Sequence, residues 1–236
     1  MSIKEKLLHI GAELKGHAPF TAFGALTGIV LMLLFKNSEH HTLHRLFYVF
    51  HPTHVVLSAI VTASMFRLYA RKTNFFKVLI IGYIGSIGIA TLSDSLIPYV
   101  GELLLQMHPH KHIGFIEGWY IVNPAAIAGV LIAYFRPRTK FPHAGHVLLS
   151  TWASSLHIIM AMAGGISALK LVVSFAFLFL AVWMPCCISD IIFPLLFVKS
   201  DMRLTDTHVY PGHATDSHPH KHKHSRKYPA GKEIQG

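Results

Sequence analysis

The chain has 236 residues and a formal net charge of +10 at pH 7, yet only 14% of its residues are charged, 52% are hydrophobic, and the mean hydropathy is +0.46. A soluble domain carries roughly 25% charged residues; the apolar residues here come in blocks of about twenty, which excludes an ordinary soluble fold and points to several membrane spans. Basic residues lie in short clusters between the blocks, without aromatic interleaving or a Gly-rich phosphate loop, so the charge sets topology and does not imply nucleic acid as a partner.

Residues 1–17 are polar to amphipathic, with Leu7, Leu8, Ile10 and Leu14 near helical spacing. They read as an interfacial helix on the membrane surface. The apolar block that follows is longer than the core of a signal peptide, so it reads as a retained span. Span one covers 18–35, and 36–46 form a polar loop with His40, His41 and His44. Span two covers 47–66 and span three 76–100, with Arg67, Arg71, Lys72 and Lys77 around the loop between them. Residues 101–117 form an outer loop with Glu102, His108, His110, His112 and Glu117.

Span four covers 118–135, with a break expected at Asn123-Pro124. Arg136, Arg138 and Lys140 mark the next turn. Span five covers 143–163 and carries a solitary histidine, His157, which reads as a hydrogen-bonded bundle residue. Span six covers 168–198 with kinks expected at Pro185 and Pro194. Residues 199–236 form a polar tail with His208, His213, His218, His220, His222 and His224, expected to be disordered and suited to loose metal binding.

Two echoes organise this chain. His51-Pro52-Thr53-His54-Val55-Val56-Leu57-Ser58 returns as His143-Ala144-Gly145-His146-Val147-Leu148-Leu149-Ser150, 92 positions on and identical at five of eight positions. Ser93-Asp94-Ser95-Leu96-Ile97-Pro98 returns as Ser189-Asp190-Ile191-Ile192-Phe193-Pro194, 96 positions on. The fold class expected is an all-α polytopic membrane protein: six transmembrane helices as two three-helix repeats, 18–100 and 118–198. An odd number of spans per copy inverts the second copy relative to the first, a plan common among secondary transporters. Of the 21 Lys and Arg residues, only Lys36, Arg45, Lys111 and Lys170 lie on the side away from the termini. The excess places both termini in the cytoplasm, in a cell (inner) membrane.

Residues at i and i+3 share a helix face. His51 and His54 therefore offer two imidazoles in one direction, and so do His143 and His146. At 1.5 Å rise per residue, His54 and Asp94 lie roughly 10 and 9 Å from the outer ends of their spans. His146 and Asp190 lie roughly 5 and 12 Å from the cytoplasmic ends of theirs. The candidate metal ligands are thus His51, His54 and Asp94 toward the outside, with His143, His146 and Asp190 toward the inside. Imidazole with carboxylate suits Zn, Ni, Co, Fe or Mn. An ionised Asp within hydrocarbon costs roughly 2.5–3.5 kcal/mol on insertion scales, which a bound cation or a proton relay offsets. A blander reading competes. Asp-x-x-x-Pro also suits a helix-end device in which the carboxylate bonds backbone groups freed by proline. Cys186 and Cys187 are adjacent in an apolar run and imply no disulfide framework. Beside Met184 they could offer soft ligands, though buried cysteine is more often a packing residue.

The function expected is transport, in the export direction as one option, of a divalent transition metal, with proton exchange at His and Asp. The metal is the substrate and no cofactor is held permanently. The partners are the lipid bilayer, the ion and protons, with homo-oligomerisation left open. The alternatives are a membrane enzyme holding haem or di-iron on its many histidines, and an assembly protein whose polar spots are packing glue. The plan is similar in outline to small six-span metal permeases with histidine-rich segments. The nickel/cobalt permease motif, His followed after four residues by Asp-His, is absent. So is the zinc-exporter pair of His and Asp four apart on one helix. The likeness is one of architecture alone.

Overall fold

The computed structural model describes residues 3–70, 73–104, 114–161, 167–188 and 192–198; Asp190 and the tail lie outside the described residues. These are all-helical, without strands among them. Helix α1 spans Ile3–Phe35 and α2 His40–Tyr69. Helix α3, Phe75–Thr91, passes through a π-helical turn, Leu92–Leu96, into α4, Ile97–Leu104. A short α5, Gly114–Glu117, precedes α6, Trp119–Phe135, and α7 spans Lys140–Ala161. Helix α8 covers Ala168–Cys187 and α9 Phe193–Leu196.

Among the described residues, four segments are long and apolar enough to cross a membrane: Leu14–Phe35, His40–Tyr69, Phe75–Leu103 and Ala168–Cys186. The other two expected spans differ for separate reasons. Helix α6 has 17 residues, about 25 Å at the helical rise, slightly short of a 30 Å hydrocarbon core. Helix α7 has 22 residues but is too polar to register as a span, because it is enclosed by α1, α2, α8 and the π-turn. Its Ser150, Thr151, Ser154, Ser155 and His157 face protein rather than lipid.

The molecule is inverted relative to a soluble bundle. Phe23, Leu26, Val30 and Leu34 of α1, Phe76, Ile80 and Ile84 of α3, and Leu169 and Val172 of α8 lie on the outside. His51, His54, Asp94, Glu102 and His146 are buried inside. An apolar exterior around a polar interior is stable when the surrounding solvent is hydrocarbon.

Helix boundaries adjust several expectations. The N-terminal segment is continuous with span one, in a single helix from Ile3 to Phe35 that runs through Pro19. His40, His41 and His44 belong to the first turns of α2 rather than to a loop. Asn123-Pro124 does not break α6, which runs through Pro124; the Asn123 side chain accepts a hydrogen bond from the Tyr83 hydroxyl at 2.8 Å. Glu102 is helical and 1% exposed rather than in a loop.

Small residues set the packing. Helix α2 lies along α3, α6 and α7; α1 lies along α7 and α8; α3 lies along α6; and α7 lies along α8. At Gly129 of α6 a Cβ would come within 2.4 Å of the Val56 carbonyl oxygen and 2.7 Å of the Ala59 methyl. At Gly82 of α3 a Cβ would meet Val130 at 2.6 Å and Ala63 at 2.9 Å. Close backbone approach at small residues is how helices associate where lipid removes the hydrophobic drive between them. The Arg138 amide, just after α6, donates to the Ser64 hydroxyl of α2 at 3.0 Å, fixing that end of the pair.

Candidate metal centre

The centre begins at a proline. In an α-helix the amide of residue 98 would bond the carbonyl of Asp94, but Pro98 has no N–H and its ring crowds that carbonyl. The chain widens into the π-turn Leu92–Leu96, and the Ile97 amide donates to the Leu92 carbonyl, five residues back. Single π-turns inside α-helices recur at functional sites. The carbonyl of Ser93, whose i+5 residue is again Pro98, accepts instead from the Ser154 hydroxyl of α7 at 2.9 Å. The same Asp-x-x-x-Pro spacing recurs at Asp190 and Pro194. Ile188 and Ile192, on either side of that second aspartate, are in π-helical conformation.

Asp94 is fully buried. Its Oδ2 accepts from Nδ1 of His51 at 2.9 Å and from Nδ1 of His54 at 2.7 Å. Its Oδ1 accepts from the Ser93 hydroxyl at 2.7 Å and from the Ser150 hydroxyl of α7 at 2.8 Å. Four donors fill the roughly four acceptor positions of a carboxylate. Each hydrogen bond to a charged group is worth about 1.5–3 kcal/mol, so the set offsets the cost of an ionised Asp in this interior. The carboxylate thus serves side chains and is not spent on backbone groups freed by proline.

This arrangement fixes the imidazoles. An ionised Asp94 only accepts, so both Nδ1 atoms carry hydrogen. In the neutral imidazole each Nε2 then presents a lone pair, and Nε2 of His51 and of His54 are buried without a hydrogen-bond partner. A carboxylate holding the far nitrogen of a histidine while the near one takes a metal is a recurrent second-shell device. Phe47 stacks on His51, with ring centroids 5.1 Å apart and planes at 9°, which holds the ring from its other face.

His54 and His146, the corresponding residues of the two His-x-x-His motifs, meet with ring centroids 5.5 Å apart. His143 and His146 are 5.1 Å apart, and His143 also touches His17 of α1 at 4.4 Å. The described members of the two expected ligand sets therefore form one contiguous group across the α2–α7 contact. His51, His54, Asp94, His143 and His146 lie together, while Asp190 is outside the described residues. His51, His54 and Asp94 bring ligand atoms within 4.8 Å of one another, and so do His54, His146 and Cys186.

Sequence reasoning missed the Ser150 hydroxyl as a support of Asp94, the Ser154 hydroxyl as donor to the Ser93 carbonyl, and His17. Ser150 closes the second octapeptide, and that position was its only signal. Beyond the centre, Phe47 also contacts His157, with ring centroids 6.1 Å apart. His157 Nδ1 lies 2.6 Å from Glu102 Oε1, both side chains buried. The solitary histidine of span five thus has a carboxylate partner. From His143 to His157 along α7 is about 21 Å at the helical rise, so ionisable groups line most of the bundle's length.

His40 and His41 are exposed at the start of α2, and His44 packs on Tyr48 with ring centroids 4.8 Å apart. The nearest of them precedes His51 by about two helical turns. Compared with family models, with curated proteins and with solved structures, the chain gives no match.

Proposed function

We propose that the protein moves a divalent transition-metal cation across a membrane, through the interior lined by His51, His54, Asp94, His143 and His146. One observation carries the reading: a fully buried Asp94 holds Nδ1 of both His51 and His54, leaving both Nε2 atoms buried and unmatched. Buried polar atoms without a partner are costly. A cation that accepts a lone pair from each nitrogen would remove that cost. Metal binding displaces imidazolium protons where the histidines are charged, which offers a route to proton exchange.

The packing supports an inverted 3+3 plan. Exchanging α1, α2 and α3 for α6, α7 and α8 turns the α1–α7 contact into α6–α2, α1–α8 into α6–α3, and α2–α3 into α7–α8, and all of these contacts occur. It turns α2–α7 into itself, and His54 and His146 meet on that contact. The match extends to single residues. Gly24 packs on Thr151 and Gly129 packs on Ala59, and Ala59 and Thr151 are 92 positions apart, the offset of the two His-x-x-His motifs. Binding at the interface of inverted repeats is the usual place for a transported substrate. The orientation proposed has both termini in the cytoplasm, on the distribution of Lys and Arg.

The test is ion flux in proteoliposomes of the full chain over a panel of zinc, cobalt, nickel, iron and manganese. Flux above protein-free vesicles for at least one ion supports the reading. Protein-free rates across the whole panel overturn it and leave a membrane redox enzyme or an assembly protein.

A further inference from the structure

We infer that His54, His146 and Cys186 form a thiolate-containing ion site that biases the protein toward zinc-like and softer cations and against manganese. The inference rests on the transport reading above and sharpens its substrate class. The three residues come from α2, α7 and α8, and bring ligand atoms within 4.8 Å of one another. They are 0%, 0% and 2% exposed.

Cys186 is not in a disulfide. Most buried cysteines are small hydrophobes, and Val147 and Val182 do pack on Cys186. Its sulfur, however, also faces two imidazoles. The second, independent observation is His54. Its Nδ1 is held by Asp94, so the atom it can give a metal is Nε2, which is buried without a partner.

The geometry is within reach of a real site. With Zn–N near 2.0–2.1 Å and Zn–S near 2.3 Å, tetrahedral ligand atoms stand about 3.4–3.6 Å apart. One ring nitrogen of each histidine and the sulfur lie within 4.8 Å of one another, so forming the site requires a pair to approach by up to about 1.4 Å, together with presentation of Nε2 by His54. Two imidazoles and a thiolate leave one position open, as in catalytic rather than structural zinc sites, and an open position lets an ion be handed onward. Thiolate selects zinc and copper(I) over manganese. A divalent ion binding the thiol releases its proton, so the ligated site gains one positive charge rather than two.

The test is a cobalt(II) titration of purified full-length protein in detergent. The Cys187→Ser chain holds one cysteine, so a sulfur-to-cobalt charge-transfer band in that protein can arise only from Cys186. The expected result is such a band in the wild type and in Cys187→Ser, its loss in Cys186→Ser, and its displacement by about equimolar zinc but only by a 100-fold or larger excess of manganese. Absence of the band in Cys187→Ser overturns the inference without relying on any change at Cys186, as does displacement by equimolar manganese. The spectrum is read without transport. A missing band in protein that still moves metal in vesicles removes the thiolate site alone. A band in protein that moves nothing leaves the site standing and removes the transport reading.

Discussion

At the scale of single residues, Asp94 is the hinge of the account because its two oxygens connect three helical segments. Oδ2 holds His51 and His54 of α2, and Oδ1 holds Ser150 of α7. Asp94→Asn places an amide where only acceptors fit, so at least one imidazole loses its orientation. Metal affinity of the purified protein, measured calorimetrically, should fall about 10–100-fold, the usual effect of removing an outer-shell partner. Ser150→Ala removes one of the four donors and should weaken binding by only a few-fold, as expected for a loss of about 1 kcal/mol. Affinity in Asp94→Asn equal to wild type would mean that the histidines are not held for a metal. The histidines and Asp94 were legible in the sequence because they recur at nearly equal offsets, 92 and 96 positions. Ser150 was not, since a serine in an apolar span ordinarily bonds its own helix, and only the tertiary fold reveals a carboxylate in front of it.

At the scale of elements, proline and glycine explain most of what positions the centre. Pro98 forces the π-turn that carries Asp94, and the glycines let α2, α3 and α6 approach closely. Gly129→Leu must displace the Val56 backbone and Ala59, which gives no room. It should cost about 1–3 kcal/mol as overpacking does, read as a lower unfolding temperature in detergent. Gly88→Ala, in the interior of α3 where nothing lies within 4 Å of an added Cβ, should not lower that temperature and should raise it slightly through helix propensity. Apolar blocks located every long helix to within a few residues at most ends, since hydrocarbon thickness sets their length. The helix starts were less legible. His40, His41 and His44 are polar enough to read as loop, yet the backbone continues as helix. Glu102 was assigned to a loop for the same reason. Its burial comes from the pairing with His157 on a helix distant in sequence, which no local pattern records.

At the scale of the whole molecule, the proposal is of two inverted halves closed on one shared site. The orientation is checked by labelling intact cells with an impermeant thiol reagent. Lys36→Cys, between α1 and α2, should be labelled from outside, and Arg136→Cys, between α6 and α7, only after lysis. The opposite pattern would invert the direction of every inference about the two faces. The proposed repeat shows in the sequence only through its ligand-type residues, because the apolar filler around them drifts freely. What the sequence did not reveal is that His54 and His146 touch, so the outer and inner ligand sets are neighbours rather than separate stations.

The proposal's core is one ion path through the group built on Asp94, with Asp190, its echo in sequence, proposed as the second carboxylate. Its most direct measurement is metal flux in proteoliposomes reconstituted with equal amounts of wild type, Asp94→Asn and Asp190→Asn, each first shown to be folded by its unfolding temperature. The account predicts flux in the wild type and a loss of about tenfold or more in each variant, the lower end of what removing such a partner does. Wild-type flux in both folded variants would contradict it.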